Sequence, residues 1–299
     1  MRLRRYEGNP ILKPKPENEW ESETVFNPAA VYDRGLFHLL YRGMGVDGIS
    51  RIGYAVSTDG FNFLRFDKPV FTPKLILEPR GCEDPRIVKI EDRFFMTYTA
   101  YSVRGVRIGL ATTANFIEWE RYEIEWAERD DKDAVLFPEK IDGKYVLLHR
   151  PMHKEPHSIW ISYSDNLADW YGHREIMGPG EEGSWESKKI GAGAPPIRTE
   201  KGWLLIYHGV DEDDVYRLGA AIFRLDDPSE LLYRYPEPIL EPETYYEMRG
   251  EVPRVVFACG ACEVGDKYYV YYGGADRVVC VATIDKEELL GECISISTC

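Results

Sequence analysis

Apolar and polar residues alternate along most of this chain, in short runs broken by tight turns. No segment carries a sustained 3.6-residue apolar stripe with caps at both ends, so strands are expected and long helices are not. The runs also repeat a plan. FNPAAVYDRGLFHLLYRG is followed by SRIGYAVSTDGFNFLRF, and CEDPRIVKIEDRFFMTYTAY by VRIGLATTANFIEWERY. KDAVLFPEKIDGKYVLLHRP leads to SIWISYSDNLADWYGH, and GAGAPPIRTEKGWLLIYHGV to YRLGAAIFRLDDPSELLYR. The last, VVFACGACEVGDKYYVYYGGAD, leads to RVVCVATIDKEELL. In each, a turn (DRG, EDR, DGK, EKG, GDK) separates two alternating runs, which predicts a β-hairpin. The third run (RIGYAVS, RIGLATT, IWISYSD, RLGAAIF, RVVCVAT) is rich in small and β-branched residues, as a strand covered on both faces would be. The tails TDGFNF, ANFIEWE and NLADWYG add an aromatic residue and a short further strand.

A unit of three or four antiparallel strands, recurring every ~50–65 residues, cannot bury both of its faces alone. Radial packing solves this, as in a β-propeller. Five units predict an all-β fold, a single five-bladed β-propeller domain over residues 1–299 with its active site in the central channel. The first strand of each blade then lines the channel, where polar residues distant in sequence converge. Unit one supplies Asn27 and Arg42, unit two Asp84 and Arg86, and unit three Lys132, Asp133, His149 and Arg150. Unit four supplies Lys189, Tyr207 and His208, and unit five Asp276. The hairpin ends YRG, HRP, YHG and YGGAD align, bringing Arg, Arg, His or Asp to one height. One such residue is ordinarily a solvated strand end, and Glu83-Asp84-Pro85-Arg86 alone reads as a charged turn. Their recurrence at one repeat position instead predicts a channel with carboxylates on one side and a Lys/Arg/His cluster on the other.

Composition narrows the partners. The 299 residues include 37 basic and 51 acidic ones, a net charge of −14, which argues against nucleic acid or an anionic membrane. The basic start MRLRRYEGNPILKPKPENEW has no apolar stretch behind it, and no run approaches the ~18 apolar residues of a membrane helix. A cytoplasmic protein is expected. Cys82, Cys259, Cys262, Cys280, Cys293 and Cys299 are scattered. The one CxxC, Cys259 to Cys262, lacks two further ligands at suitable spacing, so reduced thiols are expected and no metal.

The cationic cluster suits an anion with several oxygens. Arg150 offers a planar fork to two of them, and Lys132 and Lys189 add point charges. A carboxyl group across from it, against apolar walls, can hold a proton and serve as a general acid. Glycoside hydrolysis ordinarily takes two carboxylates. With phosphate as nucleophile no general base is needed, so one acid and a cationic cradle suffice for phosphorolysis.

The stretches FNPAAVYDRGLFHLLYR, CEDPRIVKIEDRFFMTYTAY, LFPEKIDGKYVLLHRP, GAGAPPIRTEKGWLLIYHGV and YYVYYGGAD resemble glycoside hydrolase family 130, the β-mannoside phosphorylases. The resemblance runs from about residue 7 to 285. It implies a five-bladed propeller that cleaves β-mannosides by inversion with inorganic phosphate as co-substrate, releases α-mannose 1-phosphate and needs no cofactor. It implies Asp84 as the catalytic acid, its proton passing through a mannose hydroxyl. It assigns Asn27, Arg42 and Asp276 to mannose, with Arg86 and Asp133 grouped beside them. Lys132, Arg150, Lys189, His208 and Tyr216 fall to phosphate. Lys132 stands where some branches carry arginine, which keeps the charge without the bidentate geometry. Glu83 is expected to face away from Asp84, and Arg86 to lie on its side of the strand. The alternatives are a β-mannoside hydrolase on the same fold, which lacks the cationic set, and a sugar-binding propeller without activity. Linkage, β-1,2 or β-1,4, is left to loops 44–49, 101–106 and 153–158. The N-terminal arm is expected to be exposed and free to pack on a neighbouring copy in a homo-oligomer.

Overall fold

The computed structural model describes residues 1–122, 124 and 130–291. Cys293 and Cys299 lie outside the described residues. The chain is all-β apart from short helical turns, and its strands form antiparallel meanders in chain order. Unit one pairs Thr24–Asp33, Leu36–Met44, Ser50–Ser57 and Leu64–Arg65. Unit two pairs Gly81–Ile90, Arg93–Ser102, Gly105–Thr113 and Glu120–Tyr122. Unit three pairs Asp131–Leu136, Tyr145–Pro151, Ile159–Ser164 and Tyr171–Met177. A single parallel pair, Ser50 with Gly81, ties units one and two into one sheet. In unit four the first strand is split into Lys189–Ala192 and Ile197–Thr199, which both pair with Gly202–Val210. Pro195 and Pro196 fall in the gap, where they have no N–H to give the ladder.

The hairpin turns lie where alternation breaks. Arg34 and Gly35, Glu91, Asp142 and Gly143, Gly202 and Gly265 all have positive φ. Glycine and aspartate tolerate that conformation, whereas Arg34 and Glu91 are held in it by the turn.

Unit five departs from expectation. Its sheet runs Val256–Val264, Lys267–Gly274, Val278–Asp285, and its outer strand is Arg4–Arg5, from the other end of the chain. Arg4 pairs with Thr283 and Arg5 with Ala282, Leu12 bridges Val279, and the Leu3 amide donates to the Ile239 carbonyl at 2.8 Å. The N-terminal arm is thus a strand of the last unit, not a free segment.

The apolar core is divided among consecutive units. Ile52 and Phe71 of unit one meet Ile87 and Met96 of unit two, and Val88 and Leu110 meet Leu136 and Leu147 of unit three. Val135 and Ile161 meet Leu205 and Phe223 of unit four, and Leu204 and Ile222 meet Val270 and Ile284 of unit five. Tyr271 and Val281 return to Leu39 and Val25 of unit one. Each sheet buries both faces against its neighbours, and the sequence of contacts closes on itself. Among the described residues no helix is long and apolar enough to cross a membrane. Cys82, Cys259, Cys262 and Cys280 are buried and in no disulfide. Burial pushes their thiols up. Cys259 packs with Val255 and Phe257, while Cys262 packs in the cluster joining units one and five, so the CxxC pair points into different surroundings.

Candidate active site

Asn27, Asp84 and Asp133 hold equivalent places in the first strands of units one, two and three. All three are left-handed, with φ of 46°, 48° and 56°. Each falls in a break of register with the second strand, between Phe26 and Ala29, Glu83 and Arg86, and Lys132 and Val135. Asn and Asp tolerate this conformation better than other side-chain types, and the bulge re-aims a short polar group out of the strand's alternation. Asp276 (φ 52°) reaches the same region from the turn after the second strand of unit five.

Around Asp84 the groups form one hydrogen-bonded set. Asn27 Nδ2 donates to Asp84 Oδ1 at 2.9 Å, and Arg42 Nη1 donates to the same oxygen at 3.2 Å. Arg42 also donates from Nη2 to Glu83 Oε1 (2.7 Å) and from Nε to Ser50 Oγ (2.9 Å), and its guanidinium lies 4.5 Å over the Phe26 ring. Glu83 therefore shares Arg42 with Asp84 instead of facing away, because the left-handed kink interrupts the alternation between them. Burial pushes the Asp84 carboxyl up, but the charges of Arg42, Lys132 and Arg86 and the Asn27 hydrogen bond outweigh it and hold it below the ordinary range. Glu83 goes the other way, raised by burial and the Asp84 charge against the opposing pull of Arg42 and Lys132. Asp276 is pushed up to about 6, by burial and by the Asp84 and Glu83 charges, with Arg42 and Lys132 opposing.

The second half is built on Asp133, which is 0% exposed. Arg86 Nη2 donates to Oδ1 at 3.1 Å, while Arg150 Nη2 and His208 Nε2 stand 2.8 and 3.5 Å from Oδ2. Burial opposes its charge, yet Arg150, His208 and Arg86 hold the carboxyl well below the usual range. Arg86 spends its other N–H groups on the carbonyls of Asp84, Ala192 and Gly193, each at 3.2 Å. It meets Asp84 through the backbone, not the carboxylate. Arg86 and Asp133, grouped by sequence with the sugar contacts, thus lie beneath the site and are bonded to each other.

Arg150 keeps Nε and Nη1 buried without a hydrogen-bond partner, and so does His208 at both ring nitrogens. Burial, with Arg150 and Arg86 adding to it against Asp133, lowers His208 to about 3, so its ring is neutral. Tyr216 lies 6.2 Å from the His208 ring, and Lys189 Nζ sits 5.1 Å over the Tyr216 ring. Lys132 pairs in register with Arg150, and its charge is felt at Asp84, Asp133 and Asp276. The Arg150 N–H groups and the one N–H of a neutral His208 are donors that an oxyanion could satisfy.

Behind the second strands lies a device that sequence reading missed. Tyr41, Tyr98, Tyr207 and Tyr272 donate their hydroxyls to buried Glu21 (2.8 Å), Glu78 (2.5 Å), Glu186 (2.6 Å) and Glu247 (2.8 Å). Each glutamate also meets an arginine: Arg65, Arg121, Arg234 and Arg5 respectively. The residue after each tyrosine in the first and fourth units is Arg42 and His208, both in the site. A signal was present, since a Tyr precedes the aligned polar position in YRG and YHG. The glutamates sit in short helices or loops between strands and share no strand register with them.

A family model described as beta-1,4-mannooligosaccharide phosphorylase matches residues 2–294. The chain is 50% identical to a 1,2-beta-oligomannan phosphorylase of Thermoanaerobacter sp. (strain X514), over 97% of this chain and 99% of that one. It is 49% identical to a beta-1,2-mannobiose phosphorylase of the same organism, again over 97% and 99%. Among solved structures, the beta-1,2-mannobiose phosphorylase of Listeria innocua, in complex with beta-1,2-mannobiose, superposes with a TM-score of 0.90. It is 32% identical, over 99% of this chain and 100% of that one.

Proposed function

This chain belongs to glycoside hydrolase family 130, and from that premise we propose that it is an inverting phosphorylase of β-mannosides, with β-1,2-linked manno-oligosaccharides as substrate and Asp84 as general acid. The two relatives near 50% identity carry β-1,2 activities in their names, which supports that linkage. The fold is read as a five-bladed propeller forming one cytoplasmic catalytic domain. The ring of inter-unit cores and the strand Arg4–Arg5 inside the last unit support that reading.

The observation that carries the activity is the pairing of two opposed environments. A hydrogen-bonded carboxyl group, Asp84, stands on one side, and the unpartnered donors of Arg150 and His208 stand on the other. Inorganic phosphate is the co-substrate, held by Lys132, Arg150, Lys189, His208 and Tyr216. Asn27, Arg42 and Asp276 hold the mannose to be transferred, with Arg86 and Asp133 bracing both halves from below. A phosphate oxygen bonds to C1 as the bond from C1 to the linking oxygen breaks on the opposite face. The proton from Asp84, passed through a mannose hydroxyl, ends on the released sugar, and the product is α-mannose 1-phosphate.

In the free protein the Asp84 carboxyl is held low by the cations around it. Phosphate entering the cluster cancels part of that field and raises the carboxyl, so the acid becomes competent when the nucleophile is in place. The phosphate set also argues against hydrolysis, for which these cations have no use.

Cleavage of β-1,2-mannobiose with and without phosphate tests the reaction: mannose 1-phosphate should appear only with phosphate, and free mannose alone as product would sink the reading. Asp84→Asn should lower kcat about 10²–10⁴-fold on the natural substrate and less on an aryl mannoside whose leaving group needs no proton. Near wild-type rates on mannobiose would move the acid elsewhere.

A further inference from the structure

Unit three breaks the pattern of the other four. At the place of their tyrosines stands His149, and its carboxylate partner is Asp131, at the start of the unit's first strand. His149 Nδ1 lies 2.7 Å from Asp131 Oδ2, and His173 Nδ1 lies 3.3 Å from His149 Nε2. His173 Nε2 in turn lies 3.3 Å from the Trp170 carbonyl. An ionised carboxylate only accepts, so His149 presents its Nδ1 proton to Asp131. The other oxygen, Asp131 Oδ1, accepts the backbone N–H of Arg150 at 3.1 Å. In the other units the glutamates that take backbone N–H groups take them from their own loops: Glu78 from Lys74 and Leu75, Glu247 from Glu243 and Thr244. In unit three alone, among the described bonds, the carboxylate grips the backbone of the residue whose side chain enters the site.

We propose that Asp131 and His149, backed by His173, form a positioning unit that fixes Arg150 for phosphate; this rests on the phosphorylase reading above. Arg150 is held at both ends. Asp131 fixes its backbone, and Asp133 holds Nη2 at the tip, 2.8 Å away. Between those anchors Nε and Nη1 are the groups left for the anion. His149 fixes the carboxylate's rotation, since one oxygen is committed to the imidazole and the other is thereby aimed at the Arg150 N–H. The unit touches neither substrate. Its loss should loosen the fork, and misplacing a bidentate donor by a fraction of an ångström weakens phosphate binding without altering the mannose contacts on units one and five.

The test is steady-state kinetics on β-1,2-mannobiose, varying phosphate and mannobiose separately, for wild type, Asp131→Ala, His149→Ala and His149→Asn. The asparagine places an amide N–H where Nδ1 stands and keeps Asp131 aimed. Both alanine variants should raise the KM for phosphate about tenfold or more while the KM for mannobiose stays within about twofold. His149→Asn should recover most of the loss. Should Asp131→Ala fail to fold, the two His149 variants, which leave the Arg150 N–H on Asp131, decide the matter alone. An unchanged phosphate KM in His149→Ala, an asparagine variant no better than alanine, or both KM values rising together would overturn the proposal. Wild type that cleaves mannobiose equally well without phosphate would instead bring down the phosphorylase reading, and this inference with it.

Discussion

Asp276 is pushed up to about 6 because it is buried beside two other carboxylates, Asp84 and Glu83, and only partly relieved by Arg42 and Lys132. Its folded value of about 6 stands above the ordinary 3.8, so the folded chain binds the proton more tightly than the unfolded one. Stability from this group is complete below about pH 4 and is lost as pH rises through 6, a fall on the order of 2–3 kcal/mol. Asp276→Asn removes the ionisation. Thermal unfolding should find the variant equal to wild type near pH 4 and more stable at pH 7, while its KM for the mannoside rises; a pH-independent difference would contradict this account. At this scale much of the site was legible. Arg42, Arg150 and His208 stand out because polar residues recur after aligned strands. The side-chain directions were not legible, because they depend on left-handed kinks at Asn27, Asp84 and Asp133 that defeat simple alternation. That is why Glu83 was expected on the wrong side. Nor could alternation show that Arg86 and Asp133 are buried and bonded to each other.

Strands and turns were legible because each hairpin announces itself twice, in its alternation and in its turn residues. What escaped was the packing of the third strand against the tyrosine of the second. In RIGYAVS and RIGLATT the glycines Gly53 and Gly109 lie opposite Tyr41 and Tyr98. A Cβ on Gly109 would come within 2.2 Å of the Tyr98 ring. That ring cannot shift without dragging its hydroxyl from Glu78, which is bonded at 2.5 Å. Gly109→Ala should therefore cost roughly 1–3 kcal/mol, the scale of overpacking a filled core. Chemical denaturation measures this, and a variant as stable as wild type would mean the ring has room to move. The small residues of the third run reflect this contact as well as burial on both faces.

At the scale of the whole molecule, the all-β character could be read in the sequence, but the pairing of Arg4–Arg5 with the last sheet could not. MRLRRYEG is too short and too charged to register as a strand, and its pairing partner lies at the far end of the chain. Arg5 also completes the Glu–Tyr–Arg set of unit five, with Nε donating to Glu247 Oε1 at 2.8 Å while Tyr272 donates to the same carboxylate. Glu247 is fully buried, so Arg5→Ala strands a charge that keeps only the Tyr272 hydroxyl and the amides of Glu243 and Thr244. A loss of about 2–3 kcal/mol is expected, somewhat below the usual cost of breaking a fully buried pair because Arg5 is itself partly exposed. Differential scanning calorimetry should show it as a lower melting temperature, and an unchanged one would show that Glu247 does not depend on the Arg5 guanidinium.

The N-terminal strand also dictates an order of events during synthesis. Arg4 and Arg5 are made well before the edge they must join, around Ala282 and Thr283. Until it arrives, the apolar faces of units one and four that later cover unit five, among them Leu39 and Ile222, have no partner. Earlier units can form their hairpins as they emerge, but the contacts of unit five with units one and four form only after its own strands are made. The nascent protein therefore spends most of its translation with exposed apolar sheet faces. Chaperone binding and self-association compete with closure during that interval, and the speed with which the last unit captures the first few residues decides the outcome.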